Sequence, residues 1–266
     1  MTRSVGRKSK PRNRKLPSRT PPWRASCCYT IESMCGRFRL GKGREALKKH
    51  FGADTDVEWE PRYNIAPCQD VAAIRQDPKK PLRRLGMMRW GLIPNWADDA
   101  NVGYKMINAR SESAATLPAF RDALKYRRCL VAADGFYEWK TLGKVKQPYC
   151  FALADDGIFA FAGLWDEWKS PEGKVIETCS VLTTTPNELV RDVHDRMPVI
   201  LAPDSYDLWL DPGFSRPEGI GELLRPISGS AMKKYAVSPR VNNLKNEDLE
   251  CSAPAEEPAP AQSNLF

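Results

Sequence analysis

The sequence of 266 residues predicts an α+β fold in which a largely antiparallel sheet system occupies the middle of the chain and helices lie at its periphery. Three observations carry this. Apolar runs recur about every eight to twelve residues between 129 and 184, separated by turn residues such as Asp134-Gly135 and Asp155-Asp156-Gly157, the spacing of hairpin-connected strands. Helical patterns flank those runs on both sides, and no Gly-rich phosphate loop opens any of them.

Residues 44–51 alternate as a short amphipathic helix with Gly52 as its stop. Residues 71–75 and 83–88 are strand-like. Residues 118–126 form a helix pattern with Pro118 in the first turn and Phe120 and Leu124 one turn apart. Strands are expected at 129–133, 149–153, 158–164 and 175–184, and helices at 186–193 and 204–210. Residues 1–33, rich in Lys, Arg, Ser and Pro, are expected to be a disordered extension. Residues 246–266 are expected to be a disordered Pro/Ala/Glu tail, which leaves 34–245 as the folded domain.

The charge is unevenly placed. The chain carries 41 Lys+Arg against 33 Asp+Glu, a formal net charge of +8. All of that excess lies in residues 1–33, where nine basic side chains face only Glu32, and the remainder is balanced. Net charge therefore gives no nucleic-acid signature for the folded part. No stretch approaches the roughly 18 apolar residues that span a bilayer, and no apolar segment follows the basic N-terminus as a secretory signal requires. The eight cysteines lack a Cys-x-x-Cys pair and are expected to be free thiols. With only two histidines, His50 and His194, no metal site is expected.

Four clusters hold chemistry-bearing side chains: Met34-Cys35-Gly36-Arg37-Phe38, Asn108-Ala-Arg110-Ser-Glu112, Gly135-Phe-Tyr-Glu138-Trp139 and His194-Asp195-Arg196-Met197-Pro198. Singly, each has a plainer explanation. A lone cysteine is usually a small buried hydrophobe, Glu138 fits the solvent side of an amphipathic strand, and Asn-x-Arg-x-Glu fits a loop with a surface ion pair. The residues by themselves reach a candidate Cys/His site with carboxylate and amide support.

Taken with Arg62-Tyr-Asn64-Ile-Ala-Pro67 and Trp90-Gly-Leu-Ile-Pro, these clusters occur in an order that closely resembles the SRAP family, the SOS-response-associated abasic-site processing proteins, over about residues 34–240. The resemblance implies a single domain on a barrel-like sheet core. It implies covalent capture of abasic sites in single-stranded DNA within the DNA damage (SOS) response, with AP-lyase and peptidase side activities. The catalytic residues it implies are Cys35, Asn108, Glu138 and His194. An N-terminal Cys35 would supply an amine and a thiol to the open-chain sugar aldehyde, giving a thiazolidine. Asn108 would hold the sugar or the Cys35 amine, Glu138 would move protons about that amine, and His194 would help open the sugar ring. Gly36, Arg37, Arg110 and Arg196 would lie against the DNA backbone. Asn64, Pro67, Trp90 and Trp96 would meet the DNA as well, the tryptophans against bases, with a core role as the other reading for Trp90 and Trp96. Arg37 and a dry pocket are expected to depress the Cys35 thiol pKa. No cofactor is implied, and a monomer in the cytoplasm, on damaged nucleoid DNA, is expected.

The thiazolidine requires Cys35 to be the first residue, yet residues 1–34 precede it. Translation from Met34 is the favoured reading. Cleavage after Met34 and retention of the extension are the others. Two rival activities remain open at this point: a peptidase with a Cys35/His194 dyad, and a noncovalent single-strand binding module.

Overall fold

The computed structural model describes residues 35–77, 80, 82–214 and 217–257. The basic extension expected at 1–33 lies outside them. In chain order the strands are β1 (Phe38–Leu40), β2 (Ala53–Asp54), β3 (Arg62–Ile65), β4 (Asp70–Gln76), β5 (Arg83–Trp90), β6 (Asn108–Arg110), β7 (Arg128–Ala133), β8 (Gly135–Leu142), β9 (Val145–Leu153), β10 (Phe159–Lys169), β11 (Val175–Thr184), β12 (Met197–Pro198), β13 (Ile200–Leu201) and β14 (Met232–Ala236). The helices are short: α1 (Arg44–Phe51), α2 (Ser111–Ala114), α3 (Pro118–Tyr126), α4 (Glu188–Arg191) and α5 (Tyr206–Leu210), with a further turn at Pro217–Ile220.

One sheet closes on itself. β4 pairs antiparallel with β5 and β7, β7 with β10, and β10 with β11. A short parallel pairing of β11 with β5, Thr178↔Arg89 and Cys179↔Trp90, completes the ring. Closure leaves the five barrel strands without a free edge, and β6 and β12 add to β11 outside the ring. The second sheet is open, in the order β14-β9-β8-β1-β3.

Aromatic rings join the two sheets. Phe38 of β1 meets Trp90 and Phe161 edge-on at 5.2 and 5.6 Å between centroids, and Phe136 of β8 meets Phe161 at 6.2 Å while stacking on Phe151 at 5.1 Å. Side chains two apart on a strand share a face, so Glu138 projects from β8 on the Phe136 side. Tyr137 projects the other way, into a small cluster with Cys150, Val237, Val241 and Cys251.

The structure corrects several expectations. The helix expected at 186–193 shortens to α4, because Asn187 caps it by accepting from the Leu189 and Val190 N–H groups. The one expected at 204–210 splits into a 3-10 turn, Pro203–Ser205, and α5. The tail expected from 246 packs as far as Ala255. Cys251 is buried, Val237 bridges Pro254, and the Ala255 N–H donates to the Ala236 carbonyl. Cys68 is disulfide-bonded rather than a free thiol, whereas Cys35, Cys129, Cys150, Cys179 and Cys251 are free. Among the described residues no helix is long and apolar enough to cross a membrane.

The inter-sheet ring cluster gives a stability test. Phe161→Ala is expected to lower the urea unfolding free energy by about 3–5 kcal/mol. Val145→Ala, on an exposed hairpin side chain, is expected to stay within about 0.5 kcal/mol.

Candidate active site between the two sheets

Each of the four expected catalytic residues is delivered by a different segment. Cys35 leads into β1, which is held against β8 by Phe38↔Phe136 and by the Tyr137 N–H donating to the Arg37 carbonyl. Glu138 stands on β8 itself. Asn108 opens β6, which lies parallel to β11 with Asn108 opposite Val181. His194 follows α4, its N–H donating to the Val190 carbonyl.

The segments converge on Cys35. Its backbone N–H donates to Glu138 Oε1 at 2.9 Å, and Asn108 Nδ2 donates to its carbonyl at 3.4 Å. Its thiol faces the Arg196 carbonyl at 3.8 Å and is also within hydrogen-bonding reach of Glu138. His194 Nε2 lies 3.9 Å from Glu138 Oε2, on the far side of that carboxylate. The Arg196 N–H donates to His194 Nδ1 at 3.1 Å. The Arg196 carbonyl lies 3.2 Å from the same Nδ1, so that nitrogen meets both a donor and an acceptor of Arg196, and which of the two it engages depends on the ring tautomer. The Asp195 carboxylate lies 3.2 Å from the same Nδ1 and faces water.

Glu138 is 3% exposed, not the solvent-facing strand residue that alternation suggests. Burial holds its carboxyl above the usual carboxylate range, against the opposing pull of His194 and of the Cys35 hydrogen bonds. Burial likewise pushes the Cys35 thiol well above its ordinary value, and the neighbouring Glu138 adds to the rise. This corrects the expected depression by Arg37, whose guanidinium is instead engaged by Asn64 Oδ1 and the Val241 carbonyl, both at 2.7 Å. Cys35 is also held at φ 45°, a region costly for a residue with a Cβ, by roughly 1–2 kcal/mol.

The expected DNA contacts divide. Arg110 is exposed, Trp96 is 61% exposed, and Gly36 and Pro67 are partly exposed. Trp90, at 2% exposure, offers no face to a base; its indole N–H donates to the Ile107 carbonyl at 2.8 Å and so braces the residue before Asn108. Asn64 is fully buried, donating to the carbonyls of Val241, Asn243 and Asn246. Both therefore belong to the scaffold. Arg196 is largely covered and bound on both Nη atoms by Glu112, at 2.6 and 2.9 Å, and by the Thr183 carbonyl at 2.7 Å. Glu112 and Thr183 are the neighbours that sequence reasoning missed. Glu112 stands in the Asn108 cluster, but nothing in the sequence pairs it with a residue 84 positions away. Among the described residues no group of His, Cys, Asp and Glu is arranged to hold a metal.

The raised Glu138 pKa makes the folded state bind a proton more tightly than the unfolded chain. Its stability contribution is therefore present below the unfolded pKa, about 4.3, and is lost as pH rises through the folded value. Glu138→Gln, which keeps an acceptor for Cys35, is expected to melt at a higher temperature than the wild type near neutral pH. The gap should close toward about pH 4, as followed by thermal denaturation across the range.

The sequence profile of the SOS response associated peptidase (SRAP) family matches residues 34–244. The abasic site processing protein YoqW of Bacillus subtilis is 45% identical over 221 residues, covering 82% of this chain and 98% of its own. The abasic site processing protein HMCES of Gallus gallus is 30% identical over 265 residues, covering 84% and 78%. A crystal structure of a Bacteroides thetaiotaomicron protein superposes with a TM-score of 0.77 at 26% identity, covering 84% of this chain and 100% of that one. A Bordetella bronchiseptica structure gives 0.67 at 29%, covering 77% and 100%. The chain thus belongs to the SOS response associated peptidase (SRAP) family.

Proposed function

We propose that this protein processes abasic sites in DNA, capturing the open-chain sugar in single-stranded DNA as a covalent adduct on Cys35. The observation that carries the reading is the 2.9 Å contact of the Cys35 nitrogen with a buried Glu138 backed by His194. While a residue precedes Cys35 that nitrogen is an amide and cannot add to an aldehyde. When Cys35 is first, the same atom is an amine beside a carboxyl whose pKa is raised by burial, toward that of the amine, so that protons can pass between them. Release of Cys35 also abolishes the φ 45° constraint, because that dihedral is defined by the preceding carbonyl.

The chemistry balances with these groups. The free amine adds to the aldehyde carbon, Glu138 carries the two amine protons in turn to the former carbonyl oxygen, and water leaves as the neutral imine forms. The Cys35 sulfur then adds to the imine carbon. Its proton passes to the imine nitrogen, closing a five-membered ring with no redox partner. His194 Nε2 faces the carboxylate that must be recharged between steps. Asn108 holds the Cys35 carbonyl and so limits rotation of the nucleophile. The position of the thiol favours this over the Cys35/His194 dyad of a peptidase, since its neighbours are Glu138 and the Arg196 carbonyl.

Protein whose first residue is Cys35 is expected to form an SDS-stable adduct with abasic single-stranded DNA and none with intact DNA. Cys35→Ala should abolish the adduct, and so should a single residue left ahead of Cys35. An adduct that survives either change contradicts the reading. Protein recovered from its native host is expected, by intact mass, to begin at Cys35.

A further inference from the structure

Glu112 belongs to none of the assigned roles, yet its carboxylate takes a bidentate pair of hydrogen bonds from Arg196. Arg196 is the residue whose backbone meets both sides of the site: its N–H donates to His194 Nδ1, and its carbonyl faces the Cys35 thiol. Its guanidinium is anchored twice, by Glu112 and by the Thr183 carbonyl of β11. Glu112 sits on α2, directly after the strand that begins with Asn108. The ion pair therefore ties the segment carrying Asn108 directly to the loop carrying His194, both of which also lie against β11.

We propose that Glu112 is a positioning residue: through Arg196 it fixes the His194 ring, with its Nε2 edge toward Glu138, and the carbonyl that faces the Cys35 thiol. Bidentate carboxylate–guanidinium pairs set direction as well as distance. Glu112 is half exposed at its side chain, so the pair's contribution to global stability is small. What it supplies is orientation, and displacement of a reacting group by about 1 Å can cost about 100-fold in rate. The hydrogen bonds from Arg196 also hold the Glu112 carboxyl below the usual range, so it remains ionised and paired at neutral pH. The rival role on the same contacts is that Glu112 merely occupies a guanidinium that a DNA phosphate would otherwise bind. The two differ in sign for DNA affinity.

The inference rests on the covalent reading above for its rate consequence but not for its structural one. The test therefore has two arms on Cys35-first protein carrying Glu112→Ala, with Glu112→Gln as the variant that keeps shape and one acceptor. In the first arm, 15N spectra of the imidazoles are recorded; only His50 and His194 contribute, and His50, which meets Tyr206 at 3.2 Å, reports that the fold is intact. The His194 signals are expected to shift as the ring loses its fixed contacts with Arg196, while those of His50 stay in place. In the second arm, adduct formation at saturating abasic DNA is expected to slow about 10- to 100-fold, with affinity for intact single-stranded DNA unchanged. Wild-type-like His194 signals in both variants overturn the proposal. So does an unchanged adduct rate, or tighter DNA binding at an unchanged rate. If the wild type forms no adduct, the covalent reading has failed, and the imidazole arm alone decides the role of Glu112.

Discussion

The site depends on one contact, the hydrogen bond from the Cys35 nitrogen to a carboxylate that water does not reach. A glutamate at 3% exposure is costly unless its oxygens are satisfied. Glu138 meets that requirement with the Cys35 N–H on one oxygen and His194 near the other. Burial holds that carboxyl above the usual range directly against the Cys35 nitrogen, and groups perturbed in this way cluster at functional sites.

Two sheets are needed to make that environment. The open sheet carries Glu138 on β8 and Cys35 just ahead of the adjacent β1, and the barrel side carries Asn108 and the His194 loop through β11. The aromatic contacts of Phe38 and Phe136 with Trp90 and Phe161 hold the sheets in register beneath the site. A shift of β8 by one residue would send Glu138 to the Tyr137 face. The C-terminal segment contributes from behind: its carbonyls at Val241, Asn243 and Asn246 saturate Asn64, and Val241 also accepts from Arg37, two residues after the nucleophile.

Much of this was legible in the sequence, for identifiable reasons. The strand runs from 129 to 184 follow turn chemistry and apolar spacing, and the helices at 44–51 and 118–126 have clear stop and start residues. The four site residues were legible only as a set, since each alone fits a bland role. Glu138 illustrates the limit. Alternation assigns one face of a strand to solvent, but both faces of β8 are covered here, one by the barrel and the other by the cluster around Cys251. Trp90 has a ring that suits stacking on bases and Asn64 an amide that suits DNA, but the ring is buried and the polar groups of both are taken by backbone carbonyls. Packing of the chain as far as Ala255 was hidden by a Pro/Ala/Glu composition, and the Glu112–Arg196 pair by its separation in sequence.

The central claim is that one residue, Cys35, supplies both the nitrogen and the sulfur that hold the sugar. The most direct test is nuclease and protease digestion of the adduct, followed by tandem mass spectrometry with prior iodoacetamide treatment. The account requires the sugar remnant on Cys35, its mass lower than the sum of the reactants by one water, and a sulfur that iodoacetamide cannot alkylate. Attachment at a lysine, or an alkylated Cys35 in the modified peptide, would contradict it.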